Sequence, residues 1–204
     1  MNCNLQAVLE QITTSLNQSG IVWGVGASVL LHQYGLAKKK PADIDVLTRM
    51  QDMDALNKVL LALGSKKRQE EESGIYSTDF FAEYNLSGVE VDCMAGFKIN
   101  LPNSVYTYHF AEANVPHRFE VGRVSVPFMT LEDWYVLYQL IPNRESKVLL
   151  IEDYFLKSGI QYPQLLHQLL DRGGLPQHTV HRTQKLLSRA SYYSAHTAST
   201  STGK

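Results

Sequence analysis

The 204-residue chain has two cysteines, a net charge of -1 and few prolines, seven in all. Cys3 and Cys93 are too few for a disulfide framework, so the fold must rest on its core. The near-zero charge gives no basic footprint for duplex nucleic acid. No run approaches the ~18 consecutive apolar residues of a membrane span. The first residues, MNCNLQAVLEQ, lack the basic start and apolar core of an export signal, and the expectation is a soluble, cytoplasmic protein. What is present is ordinary for a globular chain: 44% hydrophobic and 19% charged residues. A chain of this length buries roughly 70% of the surface its unfolded form exposes, so it can be stable without staples.

Apolar periodicity orders the chain. Leu5, Val8, Leu9, Ile12 and Leu16 recur at helical spacing over residues 4–18. IVWGVG reads as a short buried strand entering a glycine turn, and ASVLLHQYG as a short helix. LAKKKPA is a polar loop, and ADIDVLT is a strand with Ile44 and Val46 on one face and Asp43 and Asp45 on the other. A helix is expected over 52–63, followed by a solvated KKRQEEE loop. GIYSTDFFAEYNL and VEVDCMAGF flank Ser-Gly as a tight hairpin. FKINLPNSVYTYHF and VGRVSVPF are further strand candidates, and three or four helices follow Pro127. The expected fold class is therefore α+β, with a catalytic half over 1–127, a helical domain over 128–192 and a disordered tail over 193–204.

Two features carry chemistry. The turn Gly24-Val25-Gly26-Ala27-Ser28 lies between a strand and a helix, a place where backbone N–H groups can face phosphate. Glycines at such turns also serve backbone geometry alone. Asp43 and Asp45, at positions i and i+2 of one strand, share a face about 6.5–7 Å apart. Paired carboxylates repel and carry a desolvation cost, which suits a hard cation better than a structural strand. Val89-Glu90-Val91-Asp92-Cys93 repeats the alternation, so Glu90 and Asp92 share a face, and two such strands could gather three or four carboxylates. Metal pairs in phosphoryl transfer sit about 3.5–4 Å apart, and such a group of acids could hold them. Cys93, on the opposite face, reads as a buried, inert thiol.

Taken together, VWGVGASVLLHQYG, PADIDVLT and GVEVDCMAGF resemble the signature of the DNA polymerase β-like nucleotidyltransferases, in particular their small bacterial and antibiotic-modifying-type members. The resemblance covers about residues 20–96. It implies a mixed sheet with flanking helices, and Mg²⁺ bound by Asp43, Asp45 and Asp92 in a two-metal site. It further implies phosphate contacts through Gly26, Ala27 and Ser28, and transfer of a nucleoside monophosphate, AMP from ATP, to a hydroxyl. The turn departs from the family's Gly-Gly or Gly-Ser in having Gly26-Ala27, with Ser28 following. The alternatives kept open are a catalytically silent nucleotide-binding or protein-binding relative, and a toxin-like member acting on tRNA or protein.

Other candidates have bland readings beside the functional ones. Arg144 and Lys147, in NRESK between two helices, could reach phosphate or base, or be satisfied locally. Lys38, Lys39 and Lys40 read as a solvated loop, and Trp134, Tyr135 and Tyr138 as packing. His178 and His181 are three apart on a helix but lack a third metal partner.

Overall fold

The computed structural model describes residues 1–67 and 74–200, leaving aside the side chains of 191–200. The chain divides into two compact units, Met1–Thr130 and Leu131–Lys204.

The first unit opens with helix α1 (Cys3–Gln18), which buries the predicted stripe of Leu5, Val8, Leu9, Ile12 and Leu16. Asn2 caps it, its side chain accepting from the Leu5 N–H at 2.7 Å, which satisfies one of the orphan donors of the first turn. Strand β1 (Trp23–Val25) leads into α2 (Ala27–Gln33), then β2 (Asp43–Thr48) and α3 (Met53–Leu63). Ser65–Lys66 forms a short strand, β3, where a solvated loop was expected, and most of the KKRQEEE run lies outside the described residues. Strands β4 (Phe80–Leu86) and β5 (Val89–Ala95) form the predicted hairpin. Ser87 and Gly88 have φ of 51° and 82°, the left-handed pair that a two-residue turn needs to match strand twist.

Strands β6 (Lys98–Leu101) and β7 (Ser104–Thr107) pair as a separate ribbon. VGRVSVPF is not one strand: Gly122 and Arg123 turn the chain between β8 (His117–Val121) and β9 (Val124–Phe128). The glycine φ of 60° marks that turn, which the apolar alternation around it conceals. The main sheet runs β3-β4-β5-β2-β1-β9-β8 and is mixed, with β2 and β5 parallel and β4 and β5 antiparallel.

One face of this sheet is core. Ile44, Val46, Val91, Cys93, Ala82 and Tyr84 are all buried. The Tyr84 hydroxyl donates to Asn57 of α3, so α3 lies on this face. Strict alternation then turns Asp43, Asp45, Glu90, Asp92 and Glu83 to the opposite face.

Among the described residues the second unit holds four helices: α4 (Leu131–Leu140), α5 (Glu145–Ser158), α6 (Pro163–Asp171) and α7 (Gln177–Thr200). Helix α7 continues through Thr200, over much of the segment expected to lack structure. Buried Trp134, Tyr135 and Tyr138 pack as core, Trp134 against Tyr138 at 5.1 Å and Tyr135 against Phe155 at 6.0 Å between ring centroids. Glu132 is buried as well, and its carboxylate accepts from the Gln161 and Tyr162 N–H groups at 3.0 and 2.9 Å, tying α4 to the start of α6. Arg182 of α7 bridges Glu152 and Glu145 of α5, and Tyr135 donates to Glu152 at 2.8 Å.

Candidate active site

The register of three strands builds the acidic face. Asp43 pairs with Glu90 and Asp45 with Asp92 across the parallel β2–β5 ladder, while Glu83 pairs with Asp92 across β4–β5. Adjacent strands lie about 4.8 Å apart, so Asp45, Asp92 and Glu83 form one row and Asp43 and Glu90 the next. Oxygens of Glu83, Glu90 and Asp92 come within 4.8 Å of one another, a tighter group than the Asp43–Asp45–Asp92 set read from the sequence. The two groups share Asp92.

Asp92 is the electrostatic centre. Its Oδ1 is buried and has no hydrogen-bond partner. Burial first, then the charges of Glu90, Glu83 and Asp43, push its carboxyl up to about 7, while Lys67 acts in the opposite sense. A half-buried carboxylate with one oxygen unpartnered, set among other carboxylates, is costly for a structural role. Behind it, burial and then the charges of Asp92 and Asp45 push the Cys93 thiol well up, so it stays protonated and inert.

The glycine turn is fastened to the acids at two points. The Gly26 N–H donates to the Asp45 carbonyl at 3.0 Å, and the Ser28 hydroxyl donates to Asp43 Oδ1 at 3.1 Å. Ala27 sits between them at φ 44°, a left-handed conformation that a side chain adopts at a cost, and its methyl is buried. Gly24 has another task. A Cβ there would stand 2.2 Å from a Val115 methyl, so this glycine is required by close packing rather than by a ligand.

Of the remaining candidates, Arg144 and Lys147 belong to the second unit. Arg144 is exposed at the start of α5. Lys147 lies over the Tyr138 ring at 4.7 Å and donates to its hydroxyl at 3.3 Å, a local partner other than the Glu145 and helix ends expected from the sequence. Lys38, Lys39 and Lys40 are exposed, as are His178 and His181. Two residues were missed: Glu83 and Lys67. The two-residue hairpin fixes Glu83 opposite Asp92 by simple counting, so its signal was available. Lys67 follows a two-residue edge strand of polar residues, which leaves no periodic trace.

Comparison with solved structures decides the fold. TM1012 of Thermotoga maritima, assigned as a nucleotidyltransferase, superposes with a TM-score of 0.56 at 18% identity, covering 85% of this chain and 96% of its own. ANT(2'')-Ia, solved in complex with adenylyl-2''-tobramycin, gives 0.52 at 11% identity over 95% of this chain and 98% of its own. A solution structure of the same antibiotic-resistance factor gives 0.52 at 12% identity over 97% and 96%. The chain has a nucleotidyltransferase fold. At these identities the likeness establishes the nucleotidyltransferase architecture and its mixed sheet, as the motifs implied. No protein-family model matches the chain, and no curated protein does.

Proposed function

We propose that this chain is a Mg²⁺-dependent nucleotidyltransferase that transfers AMP from ATP to a hydroxyl of a small-molecule or protein acceptor. The observation that carries the reading is the convergence of Asp43, Asp45 and Asp92 on one sheet face, fastened to the Gly26–Ser28 turn. The donor set fits the metal: carboxylate oxygens are the ligands a hard divalent cation takes, and the buried, unpartnered Asp92 Oδ1 is a ready one. Asp43, Asp45 and Asp92 would hold the ions, which when bound neutralise the triphosphate and steady both the attacking and leaving oxygens. The hydroxyl oxygen would form a bond to the α-phosphorus, giving up its proton to solvent, as the bond to pyrophosphate breaks and pyrophosphate leaves with the electron pair. Ser28 and the turn's backbone orient the phosphates, and Asp92 orients the acceptor hydroxyl. Positioning of this kind supplies most of the catalysis in phosphoryl transfer. That ANT(2'')-Ia was captured with an adenylylated tobramycin supports adenylyl as the transferred group. A soluble, cytoplasmic setting is consistent with the absence, among the described residues, of a helix long and apolar enough to cross a membrane.

Ala27 favours a second reading, a silent relative that binds nucleotide without turnover, because its buried methyl stands where the family has Gly or Ser. Pyrophosphate release with ATP, Mg²⁺ and a panel of hydroxyl acceptors separates the two. Mg²⁺-dependent ATP binding accompanied by release supports the transferase. Binding without release from any acceptor supports the silent relative.

A further inference from the structure

The acidic face carries a cation of its own. Ser65 pairs with Asn85 and Lys66 with Tyr84, so the next residue, Lys67, stands opposite Glu83; its N–H donates to the Glu83 carbonyl at 2.8 Å. Alternation sends Lys66 to the other face, where its ammonium lies 5.3 Å from the Phe80 ring centroid. Lys67 therefore ends the row Asp45–Asp92–Glu83 on the acidic side. Its ammonium is ion-paired to Glu90, on the next row. Both side chains are more than a third exposed, at 37% and 39%, so as a surface ion pair it contributes little to stability.

Its position matters more than its strength. Glu90 pairs in register with Asp43, precedes Asp92 by two residues and belongs to the tight oxygen group with Glu83 and Asp92. It is as well placed as the three aspartates to take a divalent ion, and a cation drawn to it would sit on the β4 side rather than beside the Ser28 turn. We propose that Lys67 is a positioning residue: by occupying Glu90 it keeps a divalent cation on Asp43, Asp45 and Asp92 and off the Glu83–Glu90 side of the sheet. The inference rests on the metal-dependent reading above. It explains why so acidic a surface keeps a lysine that a pure cation trap would lack. It also gives Lys67 and Glu90 one joint role rather than two separate ones.

A double-mutant cycle tests this, with Mn²⁺ alone as the probe and electron paramagnetic resonance counting the free ion. Lys67→Met frees the Glu90 carboxylate as a further oxygen ligand, so Mn²⁺ affinity should rise roughly tenfold. Lys67→Arg should restore wild-type affinity to within about twofold, since a point charge suffices here. In a Glu90→Gln background, Lys67→Met should change affinity by less than about threefold, because the competing ligand is gone. With ATP and acceptor present, Lys67→Met should lower kcat more than it raises KM for ATP, the mark of a metal drawn off the reacting phosphate. Equal effects of Lys67→Met in both backgrounds, or a lowered melting temperature with Mn²⁺ affinity unchanged, would overturn the proposal while the metal-dependent reading stands. Wild-type protein that binds no Mn²⁺ would overturn both. Each variant alters an exposed or half-exposed side chain, and melting curves establish that it folds.

Discussion

Asp92 brings the conflict between stability and function to a single side chain. Its carboxyl is raised to about 7 by burial and by the acids around it, from an ordinary 3.8. Between those values the folded chain holds a proton that the unfolded chain releases, so this group's contribution falls as pH rises through the window. Asp92→Asn should therefore raise the melting temperature of the metal-free protein at pH 8 by about 2–4 °C, on the order of 1 kcal/mol, and flatten the decline between pH 4 and 7. The same variant should lose turnover. A residue whose removal stabilises the fold and abolishes activity marks a functional site rather than a structural one. Asp43→Asn and Asp45→Asn should weaken Mg²⁺-dependent ATP binding by on the order of a hundredfold or more, with melting temperature little changed, as calorimetry and melting curves would show. Ser28→Ala should cost roughly tenfold in the same binding assay, the scale of one hydrogen bond to a charged group.

At the scale of elements, the register of β4 on β5 and of β5 on β2 assembles the site. Much of this was legible in the sequence. Period-two alternation in DIDVLT and VEVDCMA assigned the acids to one face, and Ser87-Gly88 set the hairpin. What alternation alone could not supply was strand order. That β2 and β5 lie side by side, parallel and with Asp45 opposite Asp92, follows from long-range pairing that leaves no local trace. The β8–β9 turn was hidden for the converse reason, since VGRVSVPF alternates well enough to pass for one strand. Gly88→Val would force a β-branched residue to φ 82°, costing about 1–2 kcal/mol. Because that turn fixes where Glu83 and Lys67 stand, the variant should also disturb the Lys67–Glu90 coupling in Mn²⁺ binding. A chain that loses stability yet keeps the coupling intact would show that the register does not depend on this turn.

Over the whole molecule, Asp92 of the sheet unit and Glu152 of the helical unit answer pH in opposite senses. In the helical unit, burial opposes ionisation of Glu152, but hydrogen bonds from Arg182 and Tyr135 and the Arg182 charge prevail, holding its carboxyl below the ordinary 4.5. That contribution is present above the unfolded value and disappears as pH falls through the folded one. Arg182→Met should cost about 2 kcal/mol in denaturant unfolding at pH 7, less than a fully buried pair because Arg182 is 27% exposed. The deficit should shrink as Glu152 is protonated. The sheet unit instead loses stability toward neutral pH through Asp92, and a bound metal with nucleotide should restore it by mass action. The most direct test of the metal-binding account is anomalous diffraction from crystals grown with Mn²⁺ and a non-hydrolysable ATP analogue. The account predicts manganese peaks ligated by Asp43, Asp45 and Asp92, with the analogue's phosphates reaching Ser28. Nucleotide bound elsewhere, or manganese held by Glu83 and Glu90 with Asp43 and Asp45 bare, would contradict it.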